Sequence, residues 1–466
     1  MLHNSLIAVI WRVLNLFLGG MFRLILVRTI GMRMAGEADY ILSISNFLLI
    51  FFLFGFNLYL SKNLIDLNKE ERKQLFSNTL FAALTLFLFS NLVSIPFLMY
   101  FSFSIKEIAY ILLTTLSFIL SELIYYYYVG IEKSNNANFY NFLMGLIHTI
   151  VYYLIFVFYS SDFSIYFISL LISYTLIQLF AISGEVRLRR PNFNILRESV
   201  SLYAPSVIYG LFPVISRLFH KHYTDESSLF VFSTSIAFLN LLNMIPLIFS
   251  SSYAPVFAHS FRSGEKEVLE YEVKRIVRIS FLLVLPMLIF IFLNANSILM
   301  FLLNKTVENG SKILYFISLV GLFRIFSFPA GILLNMTGKE KIEIFNSFFK
   351  ISLLIIIMPL SSYLALGAVI AYIIAEGVIS LLKFIQIKKI FNFYMLDLKG
   401  LVYFSFTSLI WYLIFAKVGE LEGFQLIYVG GLLVGLSMFF NLAFSPFKDY
   451  LLIKEIFSIF LPKLRK

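Results

Sequence analysis

The chain has 466 residues, of which 60% are apolar and 14% charged, and it contains no cysteine. A mean hydropathy of +0.89 excludes an ordinary soluble domain, and the missing thiols exclude disulfides, thiol catalysis and cysteine metal sites. The net charge of +11 suggests nucleic acid only until the basic residues are placed along the chain.

From the N-terminus onward, apolar runs of about twenty residues follow one another, the length that crosses a bilayer. The predicted spans are 6–27, 39–60, 77–101, 108–130, 139–160, 163–184, 201–219, 228–250, 276–296, 313–335, 344–363, 367–387, 400–417 and 425–445. MLHNS passes straight into the first run with no small-residue cleavage site, so a retained first helix is expected. The even-numbered connections and the C-terminal segment hold 23 Lys and Arg, the odd-numbered connections seven when Lys417, at the very end of a span, is counted with them. Positive-inside bias then places both termini in the cytoplasm. The basic surplus is a topology signal, and no nucleic-acid partner is expected. The longest external connection, near 296–312, is short and partly apolar, so no extramembrane domain is expected. Residues 446–466 mix basic and apolar residues at helical spacing, as in a segment lying along the inner surface or a plain basic anchor.

An internal repeat follows from motif order. GGMFRLILVR, Gly19 to Arg28, aligns with FPVISRLFHKH from Phe212, setting Arg23 over Arg217. YILSISNFLL from Tyr40 then aligns with FVFSTSIAFL from Phe230, and YVGIEKSNNANFYN resembles LLNMTGKEKIEIFN. The expected organisation is two pseudo-symmetric six-helix lobes, 1–190 and 195–390, an added helix pair at 400–445 and the tail at 446–466.

Several charges fall inside these spans: Arg12, Arg23, Glu122, Arg217, Arg324, Lys350 and Glu376. A charge at the bilayer centre costs about 2.5–3.5 kcal/mol on insertion scales, so each needs a polar surrounding. Arg12, Asn15, Gly19 and Arg23 share one helical face, as do Ser206, Gly210, Pro213, Arg217 and His220, and Arg324, Ser327, Gly331 and Asn335. Such polar stripes suit a bundle around a hydrated cavity. Arg12, Arg23, Arg217 and Lys350 also lie near enough to span ends to snorkel. Arg324 is too central for that; its alternative is a structural ion pair, with Glu122 or Glu376 as partner. Tyr125 to Tyr128 read as an interfacial belt, His148 as an interhelical hydrogen bonder, and His220 and His222 as external surface residues.

The sequence resembles the polysaccharide transporters, the group of O-antigen (Wzx-type) flippases in the multidrug/oligosaccharidyl-lipid/polysaccharide exporter (MOP) superfamily. The stretches that carry the likeness are LVRTIGMRMAGEADYILSISNFLL, YAPSVIYGLFPVISRLF, SSSYAPVFAHSFRSGEKEVLEYEVKRIVRISFLLVLPM, LLNMTGKEKIEIFN and LALGAVIAYIIAEGVISLLKF. Met32-Arg33-Met34 departs from the small or proline-rich turn common in that family. The resemblance implies an all-α polytopic membrane protein of about 14 helices whose two lobes open alternately to either side of the bacterial cytoplasmic membrane. It also implies an undecaprenyl-pyrophosphate-linked oligosaccharide as substrate, a cationic cavity, and a polysaccharide polymerase with its chain-length machinery as neighbours. Arg23, Arg217 and Arg324, with Arg12 and Lys350 behind them, are then the expected anion ligands, because arginine forks pair with phosphate oxygens. No Gly-rich nucleotide loop is present, so no cofactor is expected. Glu122 and Glu376 are the expected sites for a coupling proton or sodium ion. The alternatives are a drug or cation antiporter, which calls for an acidic cavity, and a polymerase or ligase, which calls for a large external catalytic loop. A transporter rather than an enzyme is the expectation.

Overall fold

The computed structural model describes residues 2–64, 67–131, 133–158, 164–182, 194–303, 307–359, 366–396, 398–419, 421–443 and 445. These residues form fifteen α-helices: α1 (Leu2–Phe52), α2 (Phe56–Asn63), α3 (Lys69–Tyr100), α4 (Ile105–Gly130), α5 (Ser134–Phe158), α6 (Ser164–Ile182), α7 (Asn194–Tyr223), α8 (Glu226–Ser252), α9 (Ala254–Arg262), α10 (Lys266–Leu303), α11 (Gly310–Met336), α12 (Glu340–Ile357), α13 (Gly367–Phe391), α14 (Leu398–Val418) and α15 (Phe424–Ala443). No strand occurs among them. Among the described residues nine helices are long and apolar enough to cross a membrane, and Val402–Val418 and Tyr428–Ala443 are two shorter apolar segments. The protein is an all-helical, multi-pass membrane protein. The expected surface tail, 446–466, lies outside the described residues.

The first two expected spans meet differently from the sequence reading. In place of an external loop around Met32-Arg33-Met34, helical structure continues through α1 with one break, Gly31, at φ 80° and ψ 165°. Arg23 and Asp39 lie sixteen residues apart yet form an ion pair of 3.0 Å. In a straight helix their Cα atoms would be about 24 Å apart, so the chain doubles back at Gly31. That backbone region is open essentially to glycine alone, and one residue does the work of the expected turn.

The helix starts after the next two connections are set locally. Asn68 and Glu71 form a capping box on α3, and Ser104 and Glu107 form one on α4, each satisfying orphan backbone donors. Pro96, Pro246, Pro286 and Pro329 stand inside α3, α8, α10 and α11, positions where each removes a backbone hydrogen bond and bends a membrane helix.

Two compact units emerge, residues 1–230 and 231–466. In the first, α1 packs on α4, α5 and α7, and α5 on α6. Close approach fixes one junction: a Cβ on Gly36 would stand 2.0 Å from the Glu226 carbonyl oxygen. His220, expected on the surface, is 1% exposed, with Nε2 at 3.1 Å from Ser228 Oγ. His222 is exposed. Within the tyrosine run, Tyr127 and Tyr128 are buried, against Phe76 and Tyr140, so only part of it is available to an interfacial belt. In the second unit α11 lies between α10 and α13, and α12 joins α11 and α13. The helix pair α14 and α15 docks on α10, where Phe404 and Leu442 meet Ile279 and Leu282 and Asn441 donates to the Leu282 carbonyl.

Candidate functional site

Helical spacing concentrates charge on the facing sides of α11, α12 and α13. On α12, Glu343, Asn346 and Lys350 are separated by three and four residues; on α13, Tyr372, Glu376, Ser380 and Lys383 follow at four, four and three. Each set therefore forms one stripe, and α11 adds Arg324 and the Ser327 carbonyl.

At the centre is Glu376, whose side chain is 3% exposed. Its Oε1 accepts from Arg324 Nε at 3.1 Å, from Arg324 Nη2 at 2.5 Å and from Lys350 Nζ at 2.8 Å. Arg324 Nη2 also donates to the Tyr372 hydroxyl at 2.9 Å, and the guanidinium lies 5.8 Å from the Phe328 ring centroid. Two cations thus share one carboxylate, leaving the trio at net +1. The cations keep some access, 14% for Arg324 and 19% for Lys350. Ser380 ties α13 to the Phe323 carbonyl beside this cluster at 2.8 Å.

A second, neutral pair lies along the same stripes. Lys383 Nζ donates to Glu343 Oε1 at 2.5 Å and to the Ser327 carbonyl at 3.3 Å, and both side chains are under 10% exposed. The pair presses on α11: a Cβ at Gly331 would come 2.9 Å from Glu343 Oε1 and 3.1 Å from Lys383 Nζ. Asn346 and Gln386 exchange hydrogen bonds of 2.8 and 2.9 Å.

In the first unit Arg23 donates to Asp39 through its two terminal nitrogens, Nη1 at 3.0 Å and Nη2 at 3.4 Å, and stands 5.3 Å from the Phe230 ring centroid. Arg217 is partly buried on α7. The Arg12 side chain lies outside the described residues. Glu122, in the C-terminal half of α4, has no hydrogen-bond or ion-pair partner among the described residues. His148 packs among Phe22, Tyr166 and Tyr174. No group of acids and histidines fit to hold a metal occurs among the described residues.

The sequence-predicted residues therefore separate into sets. Arg324, Lys350 and Glu376 come together; Arg23 is paired with Asp39; of the two partners expected for Arg324 it takes Glu376, and Glu122 belongs to the other unit. Lys383, Glu343 and Tyr372 were missed. Lys383 and Glu343 sit close enough to basic and acidic helix ends to pass for loop charges, and Tyr372 is one tyrosine among 27. The signal that would have found them is helical spacing from the charges already singled out: Tyr372 is four residues before and Lys383 seven after Glu376, and Glu343 is seven before Lys350.

The fold has relatives among known proteins. Residues 205–394 match the MatE family. That segment contains Arg217, Arg324, Lys350 and Glu376. The whole chain superposes on a lipid II flippase MurJ in an inward closed conformation, with TM-score 0.72, 16% identity and 100% of both chains covered. An inward-facing multidrug resistance MATE transporter of the MOP superfamily follows at TM-score 0.67 and 14% identity, over 83% of this chain and 98% of that one. A MOP transporter from Pyrococcus furiosus, described by the reverse polarity of its binding pocket, matches at TM-score 0.56 and 13% identity, over 84% and 94%. No curated protein sequence matches the chain. At these identities the likeness is one of fold, and the fold is that of MOP-superfamily transporters.

Proposed function

We propose that the protein is a flippase that carries an undecaprenyl-diphosphate-linked oligosaccharide, an O-antigen or related surface-glycan unit, across the bacterial cytoplasmic membrane by alternating access. Both termini face the cytoplasm in this reading, and a polysaccharide polymerase with its chain-length machinery takes the product. The observation that carries it is the trio in the second unit: Arg324 on the membrane-length α11 and Lys350 on the adjoining α12, two partly exposed cations that outnumber the acid they share.

A diphosphate headgroup cannot enter hydrocarbon, because shedding its water without replacement costs many kcal/mol. Arginine supplies that replacement through charge-assisted and often bidentate hydrogen bonds, and lysine adds a compact second charge. The Tyr372 hydroxyl accepts from the same Nη2 that reaches Glu376, so the guanidinium keeps one hold when the carboxylate is displaced. Arg23 and Arg217 are proposed to add cationic contacts from the first unit, with Arg12 in a supporting role, while the lipid tail stays in the bilayer. A proton or sodium gradient is proposed to drive the cycle, with Glu122 and Glu376 as the acids considered for coupling.

One observation favours a second reading, a cation or drug antiporter: Glu122 is a carboxyl inside a membrane helix with no cation paired to it among the described residues. The two readings part at Arg324. Arg324→Ala is expected to abolish surface glycan while the protein remains in the membrane at its normal level, and Arg324→Lys to restore part of it. Full glycan in the Arg324→Ala strain would exclude this arginine from substrate handling.

A further inference from the structure

We propose that Glu376 is a built-in counter-anion that takes the place of the substrate's phosphate in the empty carrier, so that Arg324 and Lys350 can return without a bound co-ion. The inference rests on the reading above of Arg324 and Lys350 as the anion site.

Two buried carboxylates on the same three helices make the comparison. Glu343 meets one cation, Lys383, and the pair is pressed against the Gly331 backbone with both side chains under 10% exposed. It is charge-balanced and closed, the pattern of a structural bond. Glu376 differs in both respects. Its Oε1 alone receives Arg324 Nε, Arg324 Nη2 and Lys350 Nζ, the convergence that a phosphate oxygen would itself accept. The carboxylate is 3% exposed, whereas its two cations are 14% and 19% exposed. An incoming anion therefore reaches the cations first and competes with Glu376 for them.

Electrostatics gives that competition a purpose. Two bare cations inside a membrane helix bundle repel each other and lack hydration, which penalises any state that leaves them empty. With Glu376 in place the empty trio carries net +1 instead of +2. When a diphosphate arrives, it supplies the negative charge, and Glu376 becomes the surplus acid that favours its later release. Carboxylate and substrate thus oppose each other at one site, and the coupling is reciprocal. The carboxylate weakens binding and speeds the return.

The test is a split between affinity and turnover. The purified full-length protein would be titrated with farnesyl diphosphate, and flipping of a fluorescent undecaprenyl diphosphate would be followed in proteoliposomes. Glu376→Gln should bind farnesyl diphosphate at least about fivefold more tightly than the wild type and flip the lipid more slowly. Because two uncompensated cations strain the lobe, Lys350→Met/Glu376→Gln provides a second comparison with the trio's net charge held at +1. That double variant should bind more tightly than Lys350→Met alone. Unchanged or weaker binding on removal of the carboxylate in both backgrounds, or undiminished flipping by Glu376→Gln, overturns the inference. Arg324→Ala binding farnesyl diphosphate like the wild type would instead overturn the anion-site reading beneath it.

Discussion

Gly331 shows how little room the second unit leaves around its buried charges. The Glu343–Lys383 pair occupies the space where a Cβ would stand, 2.9 Å from Glu343 Oε1. Gly331→Ala must push a buried, hydrogen-bonded pair aside, at a cost of about 1–3 kcal/mol for overpacking, and should lower the thermal unfolding midpoint of the purified protein. An unchanged midpoint would show that the pair can shift freely. Glu122 poses the opposite case. Since no partner holds its carboxyl among the described residues, Glu122→Gln should leave that midpoint within error of the wild type. In proteoliposomes it should also remove the response of flipping to an imposed proton or sodium gradient. A retained gradient response would take Glu122 out of coupling. At this scale the sequence exposed Arg324, Lys350 and Glu376 as charges in apolar runs. It did not expose the Glu343–Lys383 pair, because a partner forty residues away depends on how α12 and α13 are set against each other.

Helix α1 carries the clearest lesson about elements. Its two arms were legible as apolar runs with polar stripes, and the pairing of Arg23 with Asp39 follows from their equal distance, eight residues, from Gly31. What the sequence hid was the turn. Arg28 and Arg33 flank a stretch that reads as a solvated loop, and no local pattern distinguishes Gly31 from Gly19, Gly20 and Gly36 of the same helix as the one with positive φ. Replacing Gly31 by Val forces a β-branched side chain into a backbone region that costs about 1–3 kcal/mol. The variant should therefore be less stable, and its loss should exceed that of Gly19→Val, where a Cβ meets nothing within 4 Å and the backbone lies within the helix. Equal losses would contradict the Gly31 hairpin. The Arg23–Asp39 pair admits a cycle: Arg23→Ala and Asp39→Ala should each destabilise, and the double variant should cost less than their sum.

For the whole molecule, the approximate number of helices and the all-helical class were legible because hydrocarbon forces every backbone polar group to be satisfied within a helix. Orientation was read from the loop charges, 23 against seven. Reporter fusions after Lys106 and Lys417 should report the external side, and fusions after Arg72 and Lys389 the cytoplasm; a reversed pattern would overturn the topology. The substrate is another matter. A glycan is recognised by hydrogen bonds scattered over many helices, and no short motif encodes them, so the chain names the charge of its cargo more readily than its sugars. The most direct measurement is flipping in proteoliposomes of an undecaprenyl-diphosphate-linked saccharide, scored by enzymatic capture of the sugar on the far side. The wild type should translocate it and Arg324→Ala should not. Translocation no faster than in protein-free vesicles, together with gradient-driven export of a lipophilic cation by the same preparation, would contradict the flippase account.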